Sequence, residues 1–550
     1  MGKGSDFWHS TPLPQHNVPA IKCTDGPNGV RGSRFFNPVP ALCIPCGSGL
    51  GATWNAALIE QAGQLLSKEC DAKGAHVWLG PTVNIIRSPL NGRGFESFSE
   101  DPHLSGMLAA AIIRGVQSRG TLAALKHFVA NDQETEKMSL DVRMSDRALR
   151  EIYLLPFQIA LRDSNPRVVM SSYNKIGGLH VSENPMILQD ILRKEWGFDG
   201  LIMSDWYGTY SCEAALNAGV DIEMPGPSQH TGTYEFGLAT YGIGDLFIND
   251  ELVINNSTEQ TPGGMFFGKG SAEKRATYDM TAGKRYHLRV EAGSAATSKV
   301  KGGSLLAIPG GACRLGGCRK INPEEGIQRA VELANRCKYT FVVAGLNADL
   351  EKEGKDRDTM NMPPQVNNLI AAVLEAQPNT IVITQAGNPI SLPWRHSAST
   401  MLHSWYGGNE AGNAVADVIF GRINPSGKLP MTFPARLEDN PAYLGFGSDN
   451  GKIYYSEDIF VGYRWYEARK MEVAFPFGHG LSYTTFQISE MQVSSSRVYF
   501  SIENTGRMVG AEVARLYISY STTSPKSRFS RGAILDGSFE IEKETFWNGL

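Results

Sequence analysis

The chain has 550 residues, more than one hydrophobic core can serve, so length alone predicts about three or four domains. Hydrophobic residues make up 42% and charged residues 20%, with a net charge of −4. That balance is ordinary for globular protein and gives no pull toward nucleic acid or an acidic membrane surface, and no apolar run reaches the roughly 18 to 20 residues of a membrane span.

The N-terminal stretch MGKGSDFWHSTPLPQHN lacks the apolar core of a signal peptide, which predicts a cytoplasmic protein. Residues 1–228 then alternate helical and short apolar segments. Leu58, Ala62, Leu65 and Leu66 recur at helical spacing, and Val77 to Leu79 reads as a strand. Leu149, Ile152, Tyr153 and Phe157 suggest another helix ahead of the strand-like run from Arg167 to Met170, and Leu201-Ile-Met203 is a further buried strand. This βαβα rhythm predicts a parallel sheet flanked by helices, a barrel or an open sheet, with chemistry at the C-terminal strand ends.

The pattern changes near residue 229. Asp245-Leu-Phe-Ile248 and Tyr286-His-Leu-Arg-Val290 alternate like strands, and Thr281-Ala-Gly-Lys284 reads as a turn, so residues 229–300 form an all-β unit. A Gly-rich linker covers 301–322. Residues 323–487 return to α/β, with strands at Tyr339 to Ala344 and Ile381 to Ile383. Between these two strands lies a helix face of Val366, Leu369, Ile370, Val373 and Leu374. The tail 488–550 alternates again, with Val498, Phe500 and Ile502 on one face, as in a β-sandwich.

The cysteines, Cys23, Cys43, Cys46, Cys70, Cys212, Cys313, Cys318 and Cys337, are too scattered for a disulfide scaffold. Cys43-Ile-Pro-Cys46 has the spacing of half a zinc or redox site without a second half. Buried reduced thiols, and no metal, are therefore expected.

Four segments carry candidate chemistry. Asp205 follows the strand Leu201-Ile-Met-Ser and precedes Trp206, placing a carboxylate beside an indole that can stack on a sugar face. Glycoside cleavage needs two carboxyl groups around an oxocarbenium-like transition state, although a helix N-cap is equally placed there. Asp25 lies in the turn-rich loop DGPNGVRG, where it either accepts sugar hydroxyls or closes an Asx-turn. Arg93 in GRGFESFSEDP stands near several carboxylates and could be a structural ion pair. Lys126 and His127 follow Leu122-Ala-Ala-Leu125 and put two donors at a strand end.

Together these segments closely resemble glycoside hydrolase family 3, in particular its fungal intracellular β-glucosidases. DFWH, DGPNGVRG, GRGFESFSEDP, KHFVAND and MSDWYGTY stand in the family's order, followed by EGKDRD, WYGGNE, SEDIFVGYRWYE and FPFGHGLSYTTF. The resemblance implies a (β/α)8-type barrel, an α/β sandwich, a PA14-like all-β insert and a fibronectin type III-like C-terminal module. It implies Asp205 as nucleophile and Glu353, in Glu351-Lys-Glu353-Gly-Lys-Asp356-Arg357, as acid/base, although a charged loop is also ordinary solvated surface. Asp25, Arg93, Lys126 and His127 would hold the hydroxyls of the nonreducing sugar. Trp206 would be an aromatic wall, and Tyr173 would stand beside the nucleophile unless it serves only packing. Retention of configuration follows if the carboxyls lie roughly 5 to 5.5 Å apart, and Glu353 then needs a raised pKa.

The expected partners are β-glucosides or oligosaccharides. A homo-oligomer is compatible with the sequence, and no cofactor is implied because two carboxylates suffice. The loop Lys126-His-Phe-Val-Ala-Asn-Asp132 differs from that of the family's N-acetylglucosaminidases. After Glu223-Met-Pro-Gly-Pro227 the chain runs almost directly into PA14-like sequence, so barrel-closing helices, a linker and a sandwich strand are expected to be missing. The alternative to an active exo-β-glucosidase is therefore an impaired relative that at most binds sugar.

Overall fold

The computed structural model describes residues 2–32, 39–225, 237–241, 243–248, 251–258, 260, 271, 274, 288–293, 312–314, 322–493 and 498–515. The expected turn at Thr281-Ala-Gly-Lys284 and most of the 301–322 linker lie outside these residues.

Seven parallel strands form the first sheet: β1 (Gly2–Lys3), β2 (Cys23–Asp25), β3 (Val77–Leu79), β4 (Leu122–Phe128), β5 (Val168–Ser171), β6 (Leu201–Ser204) and β7 (Ile222–Glu223). Their order is β1-β7-β6-β5-β4-β3-β2, so β2 to β7 follow the chain around the curl. Eight strands were expected, and the described residues supply seven. The gap between β1 and β2 is bridged instead by an antiparallel return. Ser10 N donates to Ile21 O at 2.9 Å, and Cys23 N donates to Trp8 O at 2.8 Å.

The two faces of these strands separate cleanly, as a period of two requires. Val77, Leu79, Ala124, Val168, Met170, Met203 and Ile222 fill the inside of the curl together with Trp8 and Trp206. Trp78, Ala123, Leu125, Val169 and Ile202 face outward into the larger core beneath the helices.

Helices α1 (Ala56–Lys73), α2 (Pro102–Gln117) and α3 (Leu155–Ser164) cover that outer face. Asn55 caps α1 by accepting from Leu58 N, and Asp101 caps α2 by accepting from Leu104 N ahead of Pro102. The α1 helix is where periodicity places it, but its buried stripe is Ile59, Gly63, Leu66 and Cys70. Leu58 and Leu65 stay 49% and 44% exposed. The stripe is chosen by close approach: a Cβ on Gly63 would sit 2.4 Å from Ile112 O, and one on Gly115 would sit 2.1 Å from Glu60 O. Only a Gly-on-Gly crossing lets the two helices meet there.

A second, three-stranded parallel sheet contains β8 (Phe341–Gly345), β9 (Ile381–Gln385) and β10 (Thr400–His403), with α4 (Pro323–Asn335) and α5 (Pro364–Ala376) beside it. Val342 and Ala344 are buried with Ile370, Val373 and Leu374. The run Tyr339 to Ala344 was expected to be a buried strand, yet Tyr339, Phe341 and Val343 are 63%, 44% and 68% exposed. The reason is topological: β8 is an edge strand, and among the described residues nothing covers its second face.

The chain then returns to the first core. Ile453, Tyr455, Ile459, Val461, Tyr463 and Phe477 join the residues beneath α1 to α3. Buried ion pairs reinforce that junction, Arg87 with Glu457 and Arg464 with Asp101.

Between the sheets in sequence, Ile243–Ile248, Glu251–Asn256 and Leu288–Gly293 form a three-stranded antiparallel sheet. Gly237–Tyr241 pairs with Ala312–Arg314. Near the end, Phe486–Val493 and Val498–Asn504 make an antiparallel hairpin.

Of the cysteines, Cys23, Cys46 and Cys70 are buried as expected, whereas Cys43 and Cys212 are exposed. Cys46 Sγ lies 3.3 Å from Ser48 Oγ rather than against Cys43. The described residues contain no cluster of His, Cys, Asp and Glu able to hold a metal ion. None of their helices is long and apolar enough to cross a membrane.

Candidate active site

The C-terminal ends of the parallel strands bring the expected polar residues together. Lys126 continues the inward-facing register of Ala124 on β4, so its ammonium emerges at the rim of the curl. Its Nζ lies 3.2 Å from Asp25 Oδ1 at the end of β2, and Arg31 holds Asp25 Oδ2 at 3.0 Å. Burial pushes the Asp25 carboxyl up, but Lys126 and Arg31 more than offset this and leave it lowered. Asp25 therefore stands ionised beside an ammonium, and its carboxylate does more than close a turn.

Asp205 sits directly after β6. It caps no helix: the next helix, Cys212–Ala218, is capped by Ser211. Asp205 Oδ1 accepts from Trp206 N at 2.6 Å. Oδ2 is buried and accepts no hydrogen bond among the described residues, with His127 Nε2 3.6 Å away. Burial, with help from the nearby Glu353 charge, raises the carboxyl to about 6 against the pull of Arg93, Lys137 and Lys126. One oxygen is thus fixed by the backbone while the other is left unengaged.

His127 is buried and its pKa falls well below the usual value, through burial first and then Arg93, Lys126 and Lys137. Its ring is neutral as a result. Nδ1 lies 3.2 Å from Asn84 Oδ1, which also accepts from His127 N at 3.0 Å. An Nδ1–H satisfies that contact and leaves Nε2 as an acceptor facing the cleft.

Tyr173 follows β5 and donates from its hydroxyl to Trp206 O at 2.9 Å. The phenol pKa is raised by burial and by the charges of Asp205 and Glu353, so it remains a donor. Trp206 is anchored by its indole N–H to Phe7 O at 2.9 Å, and its ring lies 6.1 Å from Phe7 and 5.8 Å from Trp8. The DFWH segment therefore serves as the wall behind the indole.

Arg93 is held in a bidentate pair by Glu96, with Nε to Oε1 at 3.0 Å and Nη2 to Oε2 at 2.9 Å. Its remaining Nη1 reaches Glu353 Oε1 at 3.4 Å. Glu353 comes from the second α/β unit, on the loop after β8, and its side chain keeps 41% of its surface open to solvent. The loop is not a free solvated surface. Lys137 also contacts Glu353 Oε1 at 3.3 Å.

Here the structure corrects an expectation. A raised pKa was expected at Glu353. Burial does push it up, but Arg93, Lys137 and Lys126 outweigh burial and hold it well below the usual carboxylate range. This carboxyl is ionised, because two cations touch it.

Two participants escape sequence reading, Lys137 and Glu134. Lys137 Nζ pairs with Glu134 Oε2 at 2.6 Å and lies 5.1 Å from the Tyr173 ring centroid. In sequence, Glu134-Thr-Glu-Lys137 looks like an ordinary charged loop, and the only available signal is that it follows KHFVAND without a break. A small polar recess also opens beside Arg93 and His127, lined by Thr82, Asn84, Asn91, Ser97 and Asn131.

The chain is similar to known proteins over nearly its whole length. Residues 14–240 match the glycosyl hydrolase family 3 N terminal domain, and 249–483 match the glycosyl hydrolase family 3 C-terminal domain. The chain is 39% identical to probable beta-glucosidase K of Emericella nidulans, over 95% of this chain and 87% of that protein. That alignment runs over 728 positions while this chain has 550 residues, so at least 178 positions of the relative face no residue here. Probable beta-glucosidase H of Aspergillus clavatus is 37% identical over 100% of this chain and 92% of its own length. Among solved structures, the beta-glucosidase of Kluyveromyces marxianus in complex with glucose superposes with a TM-score of 0.88 at 32% identity, covering 95% of this chain and 88% of that one.

Proposed function

The chain belongs to glycoside hydrolase family 3, and from that premise we propose that it is a retaining exo-β-glucosidase, which removes terminal nonreducing β-D-glucosyl residues. The observation that carries this reading is the pairing of two carboxylates from different halves of the molecule. Asp205 presents an unengaged oxygen from the barrel, and Glu353 approaches from the second α/β unit.

In the first step Asp205 Oδ2 attacks the anomeric carbon, the glycosidic C–O bond breaks, and Glu353 gives its proton to the departing oxygen. In the second, a water oxygen attacks the same carbon, its proton passes to Glu353, and the bond to Asp205 breaks. Both groups end as they began. Asp25, Lys126, His127 and Arg93 offer an acceptor, a cation, a neutral imidazole and a guanidinium to the sugar hydroxyls, while Trp206 supplies an apolar face. Sugar hydroxyls that engage Arg93 and Lys137 would loosen their hold on Glu353 and let it take up the proton the first step needs.

By the same reading residues 1–228 form the barrel domain and 323–487 the sandwich domain. The antiparallel sheet of Ile243–Ile248, Glu251–Asn256 and Leu288–Gly293 is compatible with a shortened PA14-like insert, and the hairpin ending at Asn504 with part of a fibronectin type III-like module.

The test is turnover of an aryl β-glucoside, with proton NMR following the first sugar released. β-Glucose should appear first, and Asp205→Ala should abolish turnover. Initial release of α-glucose would overturn retention. Folded wild-type protein without turnover would leave only sugar binding.

A further inference from the structure

The loop that carries Glu353 is held at two points, and the two anchors lie on different halves of the molecule. On its own side, buried Glu351 accepts from Gly387 N at 2.8 Å, Asn388 N at 3.1 Å and the Tyr406 hydroxyl at 2.5 Å. On the far side, buried Asp356 reaches across to the barrel. Its Oδ1 accepts from Gly92 N and Glu134 N at 3.0 Å each, and its Oδ2 from Thr135 N and Thr135 Oγ1 at 2.7 Å each. Between the anchors the chain makes a tight turn, with a bridge between Lys352 and Lys355 and Gly354 at φ +89°. Gly354 N donates to Glu134 Oε2 at 2.7 Å. Gly92 lies against the same turn so closely that a Cβ there would sit 2.0 Å from Lys355 O.

We propose that Asp356 is a positioning residue for the reaction, tying the acid/base loop to the barrel and thereby setting the separation of Glu353 from Asp205. Every group that converges on it is a donor. Only a carboxylate, an acceptor on both oxygens, satisfies such a set, and an asparagine would turn an N–H onto backbone N–H groups. Glu353 belongs to one half and Asp205 to the other, so their spacing depends on whatever joins the halves at the cleft. Asp356 does this three residues from Glu353. The proposal rests on the reading of Glu353 as the acid/base.

A positioning role predicts a defect that depends on the leaving group, because a weakly basic aglycone departs without protonation. The experiment compares kcat/KM of Asp356→Asn on cellobiose and on 2,4-dinitrophenyl β-glucoside. A displacement of about 1 Å should lower the cellobiose value by about a hundredfold. The dinitrophenyl value should change little. Equal losses on both substrates would mark Asp356 as merely structural, and no loss on either would mark it as dispensable. Should the variant fail to fold, Thr135→Val decides. It removes a single hydroxyl donor at nearly constant volume, and a selective loss on cellobiose supports the proposal while an equal loss or none overturns it. Glu353→Ala is measured in parallel. If it shows no selective loss on cellobiose, the acid/base reading itself fails, and that outcome is distinct from a selective loss at Glu353 with none at Asp356.

Discussion

At the scale of single residues, the site is a contest between burial and cations for two carboxylates. Asp205 lies deeper and is raised to about 6, whereas Glu353 touches Arg93 and Lys137 and is lowered. On the proposed reading the productive form pairs ionised Asp205 with protonated Glu353. Glu353 is held below Asp205, so kcat/KM should level off below about 6 and fall as the pH rises through about 6, where the pair loses the one proton it shares. A profile that holds its level well above that value would overturn this ordering. Lys137 should act on both limbs. Its charge favours the ionised form of both carboxyls, so Lys137→Gln should move both limbs of kcat/KM to higher pH. Unmoved or lowered limbs would show that Lys137 does not govern these protons. Asp25, Arg93, Lys126, His127, Asp205 and Trp206 stood out in sequence because their segments follow the order of the family they resemble; a place at a strand end or beside a turn left each open to a purely structural role. Lys137, Glu134 and Asp356 did not. Their contacts across the cleft are distant in sequence, and a charged loop reads the same whether it meets water or another domain.

At the scale of elements, periodicity found the strands and helices but not always the side that packs. Leu58 and Leu65 carry the stronger apolar signal on α1, yet Gly63 sets the buried stripe through the backbone of α2, which hydrophobicity does not register. Similarly, Tyr339 to Ala344 is apolar apart from Thr340, and only the structure shows that β8 has one covered face. Two substitutions separate the faces. Ile370→Ala on α5 opens a cavity at a fully buried position and should cost about 2–5 kcal/mol. Val343→Ala, at 68% exposure, should stay within about 0.5 kcal/mol. Urea unfolding of both variants checks this, and comparable losses would mean that something covers Phe341 and Val343 in solution.

At the scale of the whole molecule, the active site exists only where two units of the chain meet, so its integrity is inseparable from their docking. At least 178 positions of the aligned relative face no residue here, and among the described residues β8 leaves Phe341 and Val343 exposed. What sequence could not show is that the remaining halves still interlock. Tyr455, Ile459 and Val461 lie in the core of the first sheet and its helices, and Tyr455 donates to Asp132 at 3.0 Å. Within that junction Glu457 neutralises a buried guanidinium on Arg87, with a second contact at 3.0 Å. Glu457→Gln leaves that cation without its anion and should cost about 3–5 kcal/mol, because the uncompensated charge stays buried. Since the junction and the barrel share one core, the loss should lower a single melting transition rather than split it. Glucose should act in the opposite sense. On the proposed reading it binds only the assembled cleft, so at about 100 times its Kd it should stabilise the fold by about 2.7 kcal/mol. Calorimetry reads both effects in one experiment. Two separate transitions, with only one shifted by glucose, would show that the halves unfold independently and that the cleft between them is not held by this core.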